Sequence, residues 1–406
     1  MRTRLLVVAF LVGLGSRLLA ESNLDNAFQD PPPDAANAET AHVDPLEQFT
    51  VQSGIRFTGS YHVFIGIVAG WEDAPDFSNL GNGFSGSPAV GISANLGFDA
   101  RPDPSFRVTG TVGASFPDPA SIPSSYANLS APAFSELFCD LTIADTLFIR
   151  TGKQIVTWGA SRVFPFDNLP SRVPVGFQTA TEEYDGSAGI GVKIGIPFGA
   201  HSLAVLAQVK DGYLKDPAAP SLSEVGYGIL GELVLGRTEL SLGGYYERYL
   251  RPRAMGILRT SLWGVDLRAA LIVAYAEGSG ALASWIGNIF WEQPDSRFSI
   301  IAEYLYNAEA GQPQVYPAGH ALACIAGFRN IVGTGIDAGL QWQHAFLDGS
   351  GFVAPGIVFR PMGHVSVTFG LPVYYGVHDG EIAKLNLDPG KRRTAMGLKL
   401  EISGEF

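Results

Sequence analysis

The sequence predicts an all-β chain, an antiparallel up-and-down β-barrel that crosses a membrane on about 18 strands, with 16 as the alternative count. Three observations predict it. From Val51 onward apolar and polar residues alternate with a period of two, which is strand spacing and not helix spacing. The links between these runs alternate between short and long. Hydrophobic residues make up 46% of the 406 residues, yet after the N-terminal segment no window of about 20 residues is apolar and free of charge. Apolarity spread in alternation is the composition of strands that turn one face to lipid and the other to water.

Residues 1–20 open with Arg2 and Arg4, run through the apolar stretch Leu5 to Leu14 and reach Ala20 ahead of Glu21, the pattern of a secretory signal peptide. Residues 21–48 hold seven acids, no Lys or Arg, and the triplet Pro31, Pro32, Pro33. They read as an acidic, Pro-rich periplasmic linker, with a small plug inside the barrel as the alternative. Residues 49–406 are then the barrel. Cys139 and Cys324 both fall in strand patterns, so no disulfide framework is implied.

The first run sets Ile55, Phe57, Tyr61, Val63, Ile65 and Ile67 against Arg56, Thr58, Ser60 and His62. A hairpin follows: Val90 to Phe98, a turn at Arg101 to Pro104, and a return that sets Phe106, Val108 and Val112 against Arg107, Thr109 and Thr111. The pattern recurs at Ser187 to Ile196, Val225 to Leu235, Val265 to Tyr275, Arg297 to Tyr306 and His364 to Tyr375. Long links span Glu72 to Ser87, Pro117 to Ala133, Gly159 to Asp185, Lys210 to Glu224, Asn307 to Ala318 and Val377 to Lys391. Tight turns lie between them, as at Ala144 to Thr146, Phe198 to Ala200, Gly236 to Thr238 and Gly264. Short turns on one side and long loops on the other put both termini of the barrel on the short-turn side. Several soluble sandwiches would need linkers between domains, and none shows after Gln48.

In the last strand Leu398, Leu400, Ile402 and Phe406 share the apolar parity. This ending resembles the C-terminal assembly signal of outer-membrane β-barrel proteins of the Gram-negative or spirochaete type, which finish in Phe. The resemblance implies the cell outer membrane as location, with outer-membrane lipid and the barrel-assembly machinery as partners.

The opposite parity lines the interior. It includes Arg107, Glu136, Asp140, Arg150, Lys193, Glu232, Asp266, Arg268, Glu303 and Asp337, acids and bases interleaved with Gly and Ser. A barrel of about 16 to 18 strands is wide enough for an aqueous lumen. A mixed-charge wet interior suits a porin-like channel for passive diffusion of small polar solutes. The inward parity also carries Leu230, Ile272, Ile301 and Leu305, which keeps a transporter of hydrophobic compounds, like the fatty-acid channels, as an alternative. An adhesin acting through its loops is a third.

At Leu147 to Gly159 the alternation falters, which points to a kink or bulge at Gly152. Gly152-Lys153-Gln154 followed by Trp158-Gly159 resembles a segment of substrate-channel porins, including alginate-export-like proteins. The loop that follows, Ala160 to Tyr184, carries Arg162, Phe164, Phe166, Asp167 and Arg172. In porins a long loop folded inward narrows the pore, and these residues are the expected constriction.

No enzyme is expected. The seven His are scattered, with no nucleophile motif, zinc spacing or phosphate loop beside them, and no cofactor or metal site is implied. A net charge of −12 argues against nucleic acid as partner. A homo-oligomer is compatible with everything above.

Overall fold

The computed structural model describes residues 55–72, 84–116, 130–144, 146–164, 166–171, 188–210, 225–248, 251–276, 278, 280–293, 297–308, 319–333, 335–362, 365–377 and 392–405. The expected signal peptide, the linker, Arg172 and Phe406 lie outside them.

The strands are β1 Ile55–Glu72, β2 Phe84–Asp103, β3 Phe106–Phe116, β4 Ala133–Ile143, β5 Leu147–Gln154, β6 Gly189–Phe198, β7 His201–Lys210, β8 Gly226–Leu235, β9 Thr238–Tyr246 and β10 Arg253–Leu262. They continue as β11 Val265–Ala276, β12 Gly280–Glu292, β13 Phe298–Asn307, β14 Gly319–Phe328, β15 Ile336–Ala345, β16 Ser350–Met362, β17 Val365–Gly370, β18 Val373–Val377 and β19 Arg392–Glu405. Apart from β17 and β18, each pairs antiparallel with its neighbours in sequence, and β1 pairs with β19 from Ser60 opposite Glu405 to Glu72 opposite Arg393. The sheet therefore closes on itself and leaves no unpaired edge.

β17 and β18 occupy one place in the wall, since both pair with β16 and with β19. The barrel is thus 18-stranded. The sequence pattern reads this place as one continuous run; the structure interrupts it at Leu371 and Pro372, where proline has no N–H to give to the ladder. Face alternation survives the break, and Phe369 and Leu371 both point outward.

The outer surface is apolar, with Ile65, Ile67, Val90, Ile92, Leu271, Leu400 and Ile402 all exposed on it. Aromatic side chains band the two ends of the strands. Toward the long loops, Trp285 packs on Tyr304 at 4.8 Å and Tyr306 on His320 at 4.8 Å; toward the short turns, Phe298 packs on Phe328 at 4.6 Å and Trp263 stands free. An apolar band between two aromatic girdles is the surface of a barrel held in lipid. Cys139 and Cys324 are unpaired, on β4 and β14.

The packed core lies inside the barrel and on one side of it. Inward residues of β7 to β14, among them Leu206, Leu230, Ile257, Ile272, Ile301 and Leu305, are buried beneath Val156, Trp158, Phe164, Phe166 and Leu169 of the segment that follows β5.

Candidate functional site: an inward loop and the walls it divides

The segment between β5 and β6 leaves the wall after Gln154, two residues beyond Gly152. This glycine has φ of +128°, and a Cβ there would strike the Leu137 carbonyl oxygen on β4. The expected bulge is absent: β4 and β5 stay in register from Ile143 opposite Leu147 to Leu137 opposite Lys153. The register shift in this part of the wall lies instead on the other side of β4, where Ser135 is skipped between Thr111 and Val112 of β3. What disturbs the alternation at Gly152 is a left-handed backbone, not an extra residue.

Beyond Gln154 the chain leaves the wall. The Ile155 N–H donates to Glu136 Oε1 at 2.8 Å, and Trp158 fills a notch at Gly228 on β8, where a Cβ would strike its ring. Asp167 and Asn168 tie the loop to itself. The Trp158 N–H donates to Asn168 Oδ1 at 3.0 Å, while Asp167 accepts from the Ala160 and Ser161 N–H groups and from the Ser161 hydroxyl. Any residue larger than glycine at 159 would collide with the Asp167 carboxylate. Glycine and tryptophan at these two positions are what this turn needs in order to pack.

Among the described residues, Glu136, Arg259, Gln208 and Glu303 of the wall hold the loop through the loop's backbone. Glu136 does so as described. Arg259 on β10, paired with Glu239, donates from Nη2 to the carbonyl oxygens of Trp158 at 3.2 Å and Gly159 at 2.9 Å. Gln208 on β7 donates to the Pro170 carbonyl at 2.7 Å. Glu303 on β13 accepts from the N–H groups of Arg162 at 2.7 Å, Val163 at 3.0 Å and Phe164, and from Asn288 Nδ2 at 2.9 Å. A carboxylate that collects several N–H donors in a site shielded from water makes charge-assisted bonds, the strong kind. Arg162 lies over the Phe290 ring at 4.3 Å.

Glu303, expected on the open wall, is instead 0% exposed beneath the loop. Its ionic group is spent on loop backbone because Ile301 and Leu305 beside it are covered by the same packing. Phe164, Phe166 and Asp167 are likewise buried within the loop rather than presented to a passage, with Phe166 and Asp167 both 0% exposed. Asp337 is buried near the β14–β15 turn, where it accepts from the Asn330 N–H at 2.7 Å and pairs with Arg360. Sequence reasoning missed Gln208, Asn288 and Asn168, and placed Arg259 on the inward face without linking it to the loop. The signal available was Glu303 itself, a lone acid between two inward apolar residues.

The remaining predicted charges form a chain along β2 to β6. Arg107 binds Asp99 through two contacts of 2.9 Å and lies 3.8 Å from Asp140; Arg150 grips Asp140 at 2.6 and 3.0 Å and lies over the Phe138 ring at 4.0 Å. Lys193 stands opposite Arg150, and Glu232 accepts from the Ser202 hydroxyl at 2.7 Å. Asp266 and Arg268 are half-buried on β11, close enough to Arg162 to act on its charge.

No protein-family model and no curated protein sequence matches the chain. Solved structures match it in fold. OccK7 (OpdD) of Pseudomonas aeruginosa aligns with a TM-score of 0.54 and 11% identity over 87% of this chain and 98% of its own. A BenF-like porin from Pseudomonas fluorescens Pf-5 aligns with a TM-score of 0.54 and 8% identity over 86% and 99%. OpdL of Pseudomonas aeruginosa gives 0.53 and 10% over 87% and 99%. At such identities the likeness is one of architecture: the chain has a porin-type barrel.

Proposed function

We propose that this barrel is an outer-membrane channel for the passive diffusion of small polar solutes, constricted by the loop that follows β5. In this reading residues 1–20 direct export, residues 21–48 form a periplasmic linker, and residues 49–406 insert with help from the assembly machinery, with Phe406 as part of its signal. The observation that carries the proposal is the loop's attachment to the far wall through Glu303. It narrows the passage, and among the described residues the loop's hydrophobic packing lies on β7 to β14 and not on the polar wall of β1 to β3 and β15 to β19. The four apolar inward residues that would form a hydrophobic groove, Leu230, Ile272, Ile301 and Leu305, are covered by loop side chains, which favours polar over apolar cargo.

The test is reconstitution of the detergent-extracted protein in planar bilayers. The intact chain gives steady channels, and deletion of residues 164–181 raises the single-channel conductance. Equal conductance with and without the loop sinks the constriction; no conductance from the intact chain sinks the channel.

A further inference from the structure

Between its attachments at Arg259 on β10 and Glu303 on β13, the loop passes over β11 and β12. One register row runs beneath it, with Arg259 opposite Arg268, Arg268 opposite Asn288 and Asn288 opposite Glu303. The next inward row toward the short turns sets Asp266 of β11 opposite Phe290 of β12. The Arg162 guanidinium of the loop lies over that phenyl ring, 4.3 Å from its centre. Arg162 and Arg268 are close enough for each to act on the other's charge, and Asp266 acts on Arg162 from the same side.

These three charges are not spent on one another. Elsewhere on the inner wall Arg107 holds Asp99, Arg150 holds Asp140 and Arg259 holds Glu239, whereas Arg162, Arg268 and Asp266 form no ion pair among the described residues. Neighbouring acids are taken elsewhere: Glu303 by loop N–H groups and Asn288, Glu292 by Arg329 at 3.5 Å. Two polar atoms here are buried without a hydrogen-bond partner, Arg162 Nε and Asn288 Oδ1, and Asn288 as a whole is only 3% exposed. Arg162, Arg268 and Asp266 nevertheless stay half-exposed. Solute can reach them at the constriction.

Unpaired charges of both signs on one small patch suit a molecule that carries both. Arg162 and Arg268 balance Asp266 and Glu303 in charge, so a solute of zero net charge leaves that balance intact. Asp266 and Arg268 stand two residues apart on one strand face, about 7 Å along the chain. The carboxylate and ammonium of an α-amino acid span that separation with one hydrogen bond at each end. Guanidinium forks match a carboxylate, while Asp266 and Asn288 Oδ1 accept from an ammonium. We propose that Arg162, Arg268, Asp266 and Asn288 form a binding site for zwitterionic solutes of the α-amino acid class. This rests on the channel reading above and names a substrate class for it.

The experiment records block of the potassium chloride current of the full-length protein in planar bilayers. Four probes of one size are compared: alanine, its carboxylate-only analogue lactate, its ammonium-only analogue alaninamide, and neutral lactamide. Alanine is expected to block at concentrations where the other three do not. Arg268→Gln and Asp266→Asn each weaken alanine block about tenfold, since each removes a charge-assisted hydrogen bond. Lys193→Gln, which removes a positive charge from the wall at β6, keeps it. Block by lactate or alaninamide equal to that by alanine overturns the proposal, because one charge then suffices. Equal weakening by Lys193→Gln and Arg268→Gln overturns it too, because net pore charge then explains the effect. Should Arg268→Gln fail to assemble, the near-isosteric Asp266→Asn decides alone: unaltered alanine block overturns the site. A conducting intact chain that alanine does not block loses the site and keeps the channel. An intact chain without salt conductance loses both.

Discussion

The two halves of the barrel interior obey different rules. Along β7 to β14 the inward positions hold Leu206, Leu230, Ile257, Ile272, Ile301, Leu305 and Ile325, with polar Gln208, Ser241, Asn288 and Glu303 buried among them, so these strands carry apolar residues on both faces. Along β1 to β3, β17 and β19 the inward positions hold Thr58, Ser93, Asn95, Thr111, Ser366 and Ser403, with Phe64 buried among them over Gly91, and the outer face is apolar. The difference lies in what each wall meets. The first meets the Trp158 to Leu169 segment and becomes a protein core; the second carries no such packed cluster among the described residues. Inward parity in a wide barrel therefore says where a side chain points and not what it touches. Within the core half the fully buried acid, Glu303, works as a hydrogen-bond anchor. In the other half acids and bases neutralise one another along the wall.

The contrast breaks most completely if the anchor is removed. Glu303→Ala leaves three loop N–H groups and Asn288 without their acceptor, a loss on the order of 5 kcal/mol in loop docking. Single-channel recordings should show larger, noisier conductance, and limited proteolysis should cut the loop that the parent protein protects. Phe166→Ala follows, at about 3–4 kcal/mol for a fully buried aromatic. It should loosen the loop without exposing a charge, so current noise should rise more than mean conductance. Gly159→Ala pushes a methyl group into the Asp167 carboxylate at a cost of about 1–3 kcal/mol. Its expected signature is intermediate protease sensitivity at near-parental conductance. The smallest effect sharpens the contrast from the other side. Arg150→Gln removes the closer partner of Asp140 and leaves Arg107 at 3.8 Å, and a partly exposed pair of this kind contributes below about 1 kcal/mol. Thermal stability in detergent should hold, and the reversal potential in a salt gradient should move toward cation preference.

Much of the barrel was legible residue by residue. Ile65 and Ile67 outward against His62 inward, or Leu400 and Ile402 outward against Glu401 inward, follow from period two alone, because each strand is its own local pattern. The tight turns at Ala144, Gly199, Gly236 and Gly264 were legible too, since each has a positive φ and all but Ala144 are glycines that meet it without strain. The interruption at Leu371 and Pro372 was marked by proline, but the alternating pattern ran through it. The loop was recognisable by its length and its aromatic and charged residues, although its terminus of attachment was not.

Sequence by itself determined the fold class, the facing of the strands and the sides of the barrel on which long and short links fall. These follow from interactions between near neighbours: alternation within a strand and turn chemistry between two. Only the tertiary structure decided that Glu303 holds the N–H groups of Arg162, Val163 and Phe164, partners 139 to 141 residues away. It also decided that Arg162 of the loop stands beside Asp266 and Arg268 of β11. Those relations depend on register and on the path of a loop across the lumen. A local pattern cannot encode them, because the same alternation is compatible with every register that keeps its apolar face on the lipid.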